Sequence, residues 1–140
     1  MHLLDTNVLI ALGDPLHVHH QRVQSWFHAV PARSWATCPL TENAFVRILG
    51  HPSYPQSPGL PGALLEVLRR MCSMPGHQFW PDAISLRDLD KSAALPGSAH
   101  LTDFYLLGLA VHRKGVLVSL DRRINTAQIP GGESAFLLIP

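Results

Sequence analysis

Strand-like and helix-like runs alternate along this chain, and this alternation restricts its fold more than any other feature of the sequence. The run from Val116 to Leu120 is rich in branched apolar residues and predicts a strand. The run from His100 to Lys114 repeats its apolar side chains at helical spacing and directly precedes that strand. Strands connected through helices usually build a parallel sheet that is covered on both faces. We therefore expect an α/β fold, a three-layer α/β/α sandwich around a central parallel β-sheet.

The other predicted elements follow the same alternation. Further strands are predicted at 3–4, 34–38, 78–80 and 135–139, and further helices at 6–12, 16–30, 39–49 and 63–74. The segment from His51 to Gly62 holds four prolines and two glycines, which predicts a loop. Residues 86–97 are polar and loop-like, with a short helix around 86–91 as the alternative. Gly115 is the expected cap of the helix that starts at His100.

Size and composition fit a compact globular protein. The 140 residues are 46% hydrophobic and 15% charged, which favours one folded domain covering residues 1–140. The net charge of +1 gives no overall basic field of the kind that attracts nucleic acid. The sequence lacks an apolar run near the roughly 18 residues of a membrane span and a leader-like start, so we expect a cytoplasmic protein. Cys38 and Cys72 lack metal-ligand or redox spacing and are predicted to be free thiols.

Four acidic side chains lie where predicted strands end or where predicted helices begin. Asp5 follows the first apolar run, and Asp121 follows Leu120 directly. Glu42 lies in the first turn of the helix after the second strand, and Asp103 lies near the start of the strongest helix. In a parallel α/β fold these positions share the edge of the sheet at which ligands bind. We therefore expect the four carboxylates to converge.

Such a cluster needs positive charge to be stable. Like charges at close range raise one another's pKa, and helix N-termini offset only about 0.3–1 kcal/mol each. A divalent Mg²⁺ or Mn²⁺ ion binds oxygen ligands well and can activate water beside a phosphodiester. Taken singly, Glu42, Asp103 and Asp121 also fit ordinary capping, dipole or turn roles. Asp5 fits them less well, because it lies in an apolar stretch where an unpaired charge is costly.

Four stretches around these acids resemble the sequence blocks of PIN-domain ribonucleases, in particular the VapC-type toxins of bacterial VapBC toxin–antitoxin pairs. In the family's order they are LLDTNVLIAL, CPLTENAFVRIL, HLTDFYLLGLA and LVSLDRRI. The resemblance implies a metal-dependent endoribonuclease that hydrolyses RNA phosphodiester bonds, with Mg²⁺ or Mn²⁺ as cofactor. It also implies a cognate VapB-type antitoxin as partner and a homodimer.

The resemblance extends to individual residues. The family's acidic residues, which bind metal and carry catalysis, correspond to Asp5, Glu42, Asp103 and Asp121. Its small polar residues, which support the site through hydrogen bonds, correspond to Thr6, Asn7 and Ser119.

Basic side chains near the acids are candidates for binding RNA. Arg47 and Arg122 lie within a few residues of two of the acids and could contact the phosphate backbone. Arg123 is assigned to the solvated surface. The histidines between His17 and His20 lack the partners of a zinc set, so we expect them to be structural or solvent-facing.

Two alternatives stay open from the residues alone. A catalytically idle PIN-like RNA-binding module would keep the fold without cleaving RNA, although the complete quartet argues against it. A haloacid-dehalogenase-type phosphohydrolase also starts with an Asp after a strand, but that class has a second Asp two residues later. Asn7 occupies this position. Metal-dependent RNA cleavage, as opposed to turnover of small phosphate esters, separates these classes.

Overall fold

The computed structural model describes residues 1–30, 34–56, 58–89 and 95–140, and in these ranges a five-stranded sheet forms the centre of the molecule. The strands are β1 (His2–Leu4), β2 (Trp35–Thr37), β3 (His77–Phe79), β4 (Val116–Ser119) and β5 (Phe136–Leu138). Their order across the sheet is β3-β2-β1-β4-β5, and every neighbouring pair is parallel. The predicted α/β fold with a central parallel sheet is confirmed.

Helices cover both faces of this sheet. Within the described residues the α-helices are α1 (Thr6–Gly13), α2 (His20–Ala29), α3 (Pro39–Leu49), α4 (Pro61–Cys72) and α5 (Leu101–His112). Leu3 packs into a core that contains the buried face of α5, whereas Leu4 packs into a second core built with α1 to α4. Successive strand residues point to opposite faces of a sheet, so this alternation produces the three layers. None of the helices in the described ranges is long and apolar enough to cross a membrane.

Two helices begin at other residues than predicted, for local reasons. Helix α2 begins at His20 and not at Leu16, because residues 15–19 form turns and a bend. Helix α4 begins at Pro61 and not at Ala63. Proline is favourable in the first turn of a helix, where its missing N–H has no partner to lose. The proline-rich loop is therefore two residues shorter than expected.

The segment around α5 also differs from the prediction. The helix ends at His112. We expected Gly115 to cap it, but the left-handed backbone conformation after the helix belongs to Lys114, with φ of 52°. A 3₁₀ turn occupies Leu86–Asp88 in place of a longer helix, and residues 90–94 lie outside the described ranges.

The topology places the acid-bearing segments side by side. Strand β1 lies between β2 and β4, so the chain leaves these three strands at adjacent points of one edge. Asp5 follows β1, Glu42 lies in the first turn of the helix that follows β2, and Asp121 comes shortly after β4. A helix that leads into a parallel strand runs antiparallel to it, so the first turn of α5, which holds Asp103, lies near this edge as well.

Candidate active site

Asp5 is the buried anion of the candidate site. It caps α1, and its Oδ1 accepts the Thr6 backbone N–H at 2.6 Å. The residue is only 4% exposed. Burial raises the pKa of this carboxyl to about 6, the hydrogen bond from Ser119 opposes the rise, and the negative charge of Asp103 adds to it. A bound cation would therefore be favourable beside Asp5.

Asn7 and Ser119 hold Asp5 in place and connect β1 with the end of β4. The Ser119 hydroxyl donates to Asp5 Oδ2 at 2.6 Å, and the Asn7 amide donates to the same oxygen at 2.7 Å and to Ser119 Oγ at 3.0 Å. Asn7 Oδ1 accepts the Leu120 N–H, and Ser119 Oγ accepts the Asp121 N–H, both at 3.0 Å. This network sets the orientation of two of the four acids at once.

Asp103 and Asp121 extend the row of negative charge away from Asp5. Burial raises the pKa of Asp103, and the charge of Asp121 raises it further, while His100 and Arg123 oppose the rise. The Arg123 side chain donates to Asp121 through Nε at 3.0 Å and through Nη2 at 2.8 Å. These bonds, with that from the Arg123 backbone, hold the pKa of Asp121 at about 2.

Arg123 therefore differs from its prediction as a purely solvated side chain. Its side chain is 75% exposed, yet two of its three guanidinium nitrogens donate to Asp121. The local signal is the spacing, because a residue two positions after an Asp can donate its backbone N–H to that side chain. The Arg123 N–H does so at 2.8 Å.

Glu42 belongs by its contacts to a different group of side chains. Its Oε1 accepts the Thr37 hydroxyl at 2.6 Å, and Thr37 Oγ1 also lies 2.8 Å from His77 Nε2. The ligand atoms of Glu42, Cys72 and His77 all lie within 4.8 Å of one another. Among the residues that the structure describes, no other group of three or more carboxylate, imidazole or thiol ligands is this close.

The three aspartates are thus coupled through their charges but are spaced more widely than Glu42, Cys72 and His77. Each of them has another partner: Asp5 has Asn7 and Ser119, Asp121 has Arg123, and Asp103 Oδ2 lies 3.6 Å from His100 Nδ1. The structure therefore brings Asp5, Asp103 and Asp121 into one electrostatic row and links Glu42 to Thr37. Repulsion between like charges favours this spacing, and a divalent ion between the carboxylates would remove the repulsion.

Thr37, Cys72 and His77 were not predicted to lie near any of the four acids. Burial lowers the pKa of His77, and the charge of Glu42 opposes this; burial also raises the pKa of Cys72, and Glu42 adds to it. Cys72 is a free thiol, as predicted. The linear sequence carries no recognisable motif for this group, because its members come from β2, α3, α4 and β3.

Two concave surfaces adjoin the acids. A groove of about 580 Å³ between α3 and α4 is lined by Glu42, Arg47 and apolar side chains of both helices. A smaller cavity of about 240 Å³ is lined by His100, Asp103 and Arg123, among others. Arg47 and Arg122 are both exposed, so both can reach a ligand in solvent.

The donor set of Asp5, Asp103 and Asp121 suits a hard divalent cation. It offers carboxylate oxygens alone, which Mg²⁺ and Mn²⁺ prefer over softer ions. The raised pKa of the buried Asp5 is the observation that fits such an ion, since positive charge beside this carboxylate would relieve the cost of burying it.

Comparison with known proteins identifies close relatives over almost the full length of the chain, although no family model matches it. Ribonuclease VapC44 of Mycobacterium tuberculosis is 38% identical over 138 residues, which cover 96% of each chain. Ribonuclease VapC39 of the same organism is 41% identical over 131 residues, covering 92% of this chain and 94% of the relative. Ribonuclease VapC38 is 41% identical over 127 residues, with 90% and 89% covered. At these identities and this coverage, the chain belongs to the VapC family of PIN-type ribonucleases.

Proposed function

We propose that this protein is a metal-dependent endoribonuclease, the toxin component of a type II toxin–antitoxin pair. The observation that supports this best is the buried Asp5 carboxylate, with its pKa raised to about 6, coupled to Asp103 at the edge where β1 and β4 end. The relatives named above are ribonucleases, which makes RNA the substrate that suits this site.

In this proposal Asp5, Asp103 and Asp121 hold one or two Mg²⁺ or Mn²⁺ ions. Glu42, held by the Thr37 hydroxyl, completes the ligand set or orients the attacking water. When bound, the metal neutralises the phosphodiester and makes a bound water more acidic.

The remaining residues either orient the Asp5 carboxylate or bind the RNA substrate. Asn7 and Ser119 fix the Asp5 carboxylate, and the Thr6 N–H fixes its second oxygen, so the metal-facing geometry is set before an ion binds. Arg47 and Arg122 contact RNA phosphates, whose negative charge they complement from exposed positions.

The partners in the proposal are the RNA substrate, a cognate VapB-type antitoxin and a second copy of this chain. We also propose a cytoplasmic location and one PIN domain over residues 1–140. The naming of the relatives as VapC proteins supports the antitoxin, because a VapC toxin is by definition one half of a VapBC pair.

The decisive experiment is cleavage of total RNA by the purified protein with Mg²⁺ or Mn²⁺. We expect cleavage by the wild type, none with EDTA, and a loss of at least about 10–100-fold in Asp5→Ala, since losses of this size follow even when groups behind metal ligands are removed. The matched control is Glu133→Ala, which deletes an exposed acid elsewhere and keeps the wild-type rate. Intact cleavage in Asp5→Ala contradicts the proposed site.

The same preparation tests the alternatives. RNA binding without cleavage under any divalent ion would indicate an idle RNA-binding module. Turnover of small phosphate esters without RNA cleavage would indicate a haloacid-dehalogenase-type enzyme. The structure argues against the latter, because Asn7 donates its amide to Asp5 and Ser119 and thus acts as a support in place of a second acid.

A further inference from the structure

A second set of possible metal ligands includes Glu42 and has a different chemistry from the three aspartates. Glu42 comes from the first turn of α3, Cys72 from the last residue of α4, and His77 from the first residue of β3. All three are half-buried, and their ligand atoms lie within 4.8 Å of one another. A carboxylate, a thiol and an imidazole thus face one point at the surface.

The fold holds these groups together through a side chain that is itself inaccessible. Thr37 is 0% exposed, and its Oγ1 contacts both Glu42 Oε1, at 2.6 Å, and His77 Nε2, at 2.8 Å. Strand β2 pairs with β3 through Trp35 and His77, so the backbone that carries the imidazole is fixed by the sheet. Short-range adjustment of three half-buried side chains is enough to close them on an ion.

Sulfur and nitrogen ligands select a different ion from an all-oxygen set. Thiolate and imidazole favour borderline ions such as Zn²⁺, whereas Mg²⁺ and Mn²⁺ prefer oxygen. Three protein ligands with a fourth position open to water are a common zinc arrangement. Binding would break the Cys72 S–H bond, form a sulfur–zinc bond and release the proton to solvent.

We propose that Glu42, Cys72 and His77 form a site for Zn²⁺ that inhibits this protein by withdrawing Glu42 from the aspartate row, which comprises Asp5, Asp103 and Asp121. The inhibitory role rests on the proposed function, in which Glu42 joins Asp5, Asp103 and Asp121 around the hard ion. The zinc site itself does not rest on it. Because one carboxylate serves both centres, zinc bound to Glu42 competes with the hard-metal centre for this ligand.

Direct binding tests the site without reference to activity. Zinc is titrated into the metal-free protein against a chromogenic chelator, and Co²⁺ is added separately to detect a thiolate-to-cobalt absorption band. We expect one tight site with that band in the wild type. We expect at least about a tenfold loss of affinity in both Cys72→Ser and His77→Gln, since losses of this size follow even when groups behind the ligands are removed. Circular dichroism checks that both variants fold.

The matched control addresses the other histidine-rich segment. The rings of His17 and His19 lie 5.6 Å apart, so this segment could also attract zinc. The double variant His17→Gln/His19→Gln should keep the tight site and the cobalt band. The site is overturned if this variant loses them, or if Cys72→Ser and His77→Gln bind zinc like the wild type.

Inhibition is then measured on RNA cleavage driven by Mn²⁺, with each variant's own zinc-free rate as its reference. We expect zinc to inhibit the wild type, and Cys72→Ser to require at least about tenfold more zinc for half inhibition. Tight zinc binding without inhibition overturns the regulatory role. A wild type that cleaves no RNA under any condition overturns the proposed function, and the zinc titration still decides whether the site exists.

Discussion

The acids of the candidate site lie in two groups with different surroundings. Around β1 and β4, Asp5 is buried among neutral hydrogen-bond donors. The neighbouring charge that acts on its pKa is that of another acid, Asp103. Around β2 and β3, Glu42 is half-buried and receives the Thr37 hydroxyl, beside an imidazole and a thiol. In the first group, the aspartate row (Asp5, Asp103, Asp121), all three side chains carry negative charge when ionised. The second group, the Glu42 group (Glu42, Thr37, Cys72, His77), mixes ligand types.

This difference has an energetic consequence. The pKa of Asp5 is raised to about 6 by burial, so its charged form is a cost to the folded protein at neutral pH. The Glu42 group has a hydrogen-bond partner for its carboxylate and greater access to water. We therefore expect a bound cation to stabilise the aspartate row more than the Glu42 group. The following predictions test that contrast, beginning with the change that should affect stability most.

Hard divalent metal should stabilise the wild type strongly through the aspartate row. An ion at about 100 times its dissociation constant contributes about 2.7 kcal/mol, which corresponds to roughly 5–10 °C in Tm for a domain of this size. Thermal melts with EDTA and with Mn²⁺ measure the effect. Asp103→Asn should reduce the gain, and Glu133→Gln should leave it intact. Equal melting curves with and without Mn²⁺ would show that the aspartates share no ion.

The cost of charging Asp5 should appear as a pH dependence in metal-free buffer. A raised folded-state pKa means that the contribution of this group is most favourable below about pH 4 and is lost as pH rises through about 6. Asp5→Asn cannot ionise, so its stability relative to the wild type should improve by about 1–1.5 kcal/mol between pH 5 and pH 7.5. Urea unfolding at both pH values measures this change. A constant difference between variant and wild type would contradict it.

Removing a hydroxyl should lower the free energy of unfolding more in the aspartate row than in the Glu42 group. Ser119→Ala deletes the donor to the buried Asp5 and the acceptor of the Asp121 N–H, and we expect a loss of about 2 kcal/mol in metal-free protein. Thr37→Val deletes the donor to the half-buried Glu42, and we expect about 1 kcal/mol, because water can replace the lost partner. Urea unfolding at pH 7 compares them. A larger loss for Thr37→Val would reverse the comparison.

The smallest effect should come from Arg123→Ala. The guanidinium lowers the pKa of Asp121 to about 2, but it is 75% exposed, and exposed pairs contribute little to stability. We expect the pKa of Asp121 to move up toward its ordinary value, as measured by NMR titration, with little change in the free energy of unfolding. An unchanged Asp121 pKa would show that Arg123 is not its partner in solution.

Much of the fold followed from patterns of local origin. The order of strands and helices could be predicted because apolar periodicity and the positions of proline reflect local geometry, as Pro39 at the start of α3 illustrates. The predictions were wrong at helix ends, namely the start of α2 at His20 and the left-handed residue Lys114 after α5. The backbone at such ends depends on a single turn or on contacts distant in sequence.

For the candidate site, the four acids could be predicted from the sequence, because each one stands where a predicted strand ends or a predicted helix begins. Asp5 could be named because its place between a short apolar strand and a helix is a local property of the chain, whereas Asn7 and Ser119 were named through the resemblance to PIN-domain ribonucleases. Their hydrogen bonds then join residues more than a hundred positions apart. Other side chains near these acids, such as Cys72 and His77, come from distant parts of the chain and meet them only in the folded protein. The tertiary structure also places Arg123 on Asp121, and it assembles Thr37, Cys72 and His77 around Glu42. The physical reason is that parallel pairing of β2 with β3 and the packing of α4 bring together residues that no spacing in the sequence relates.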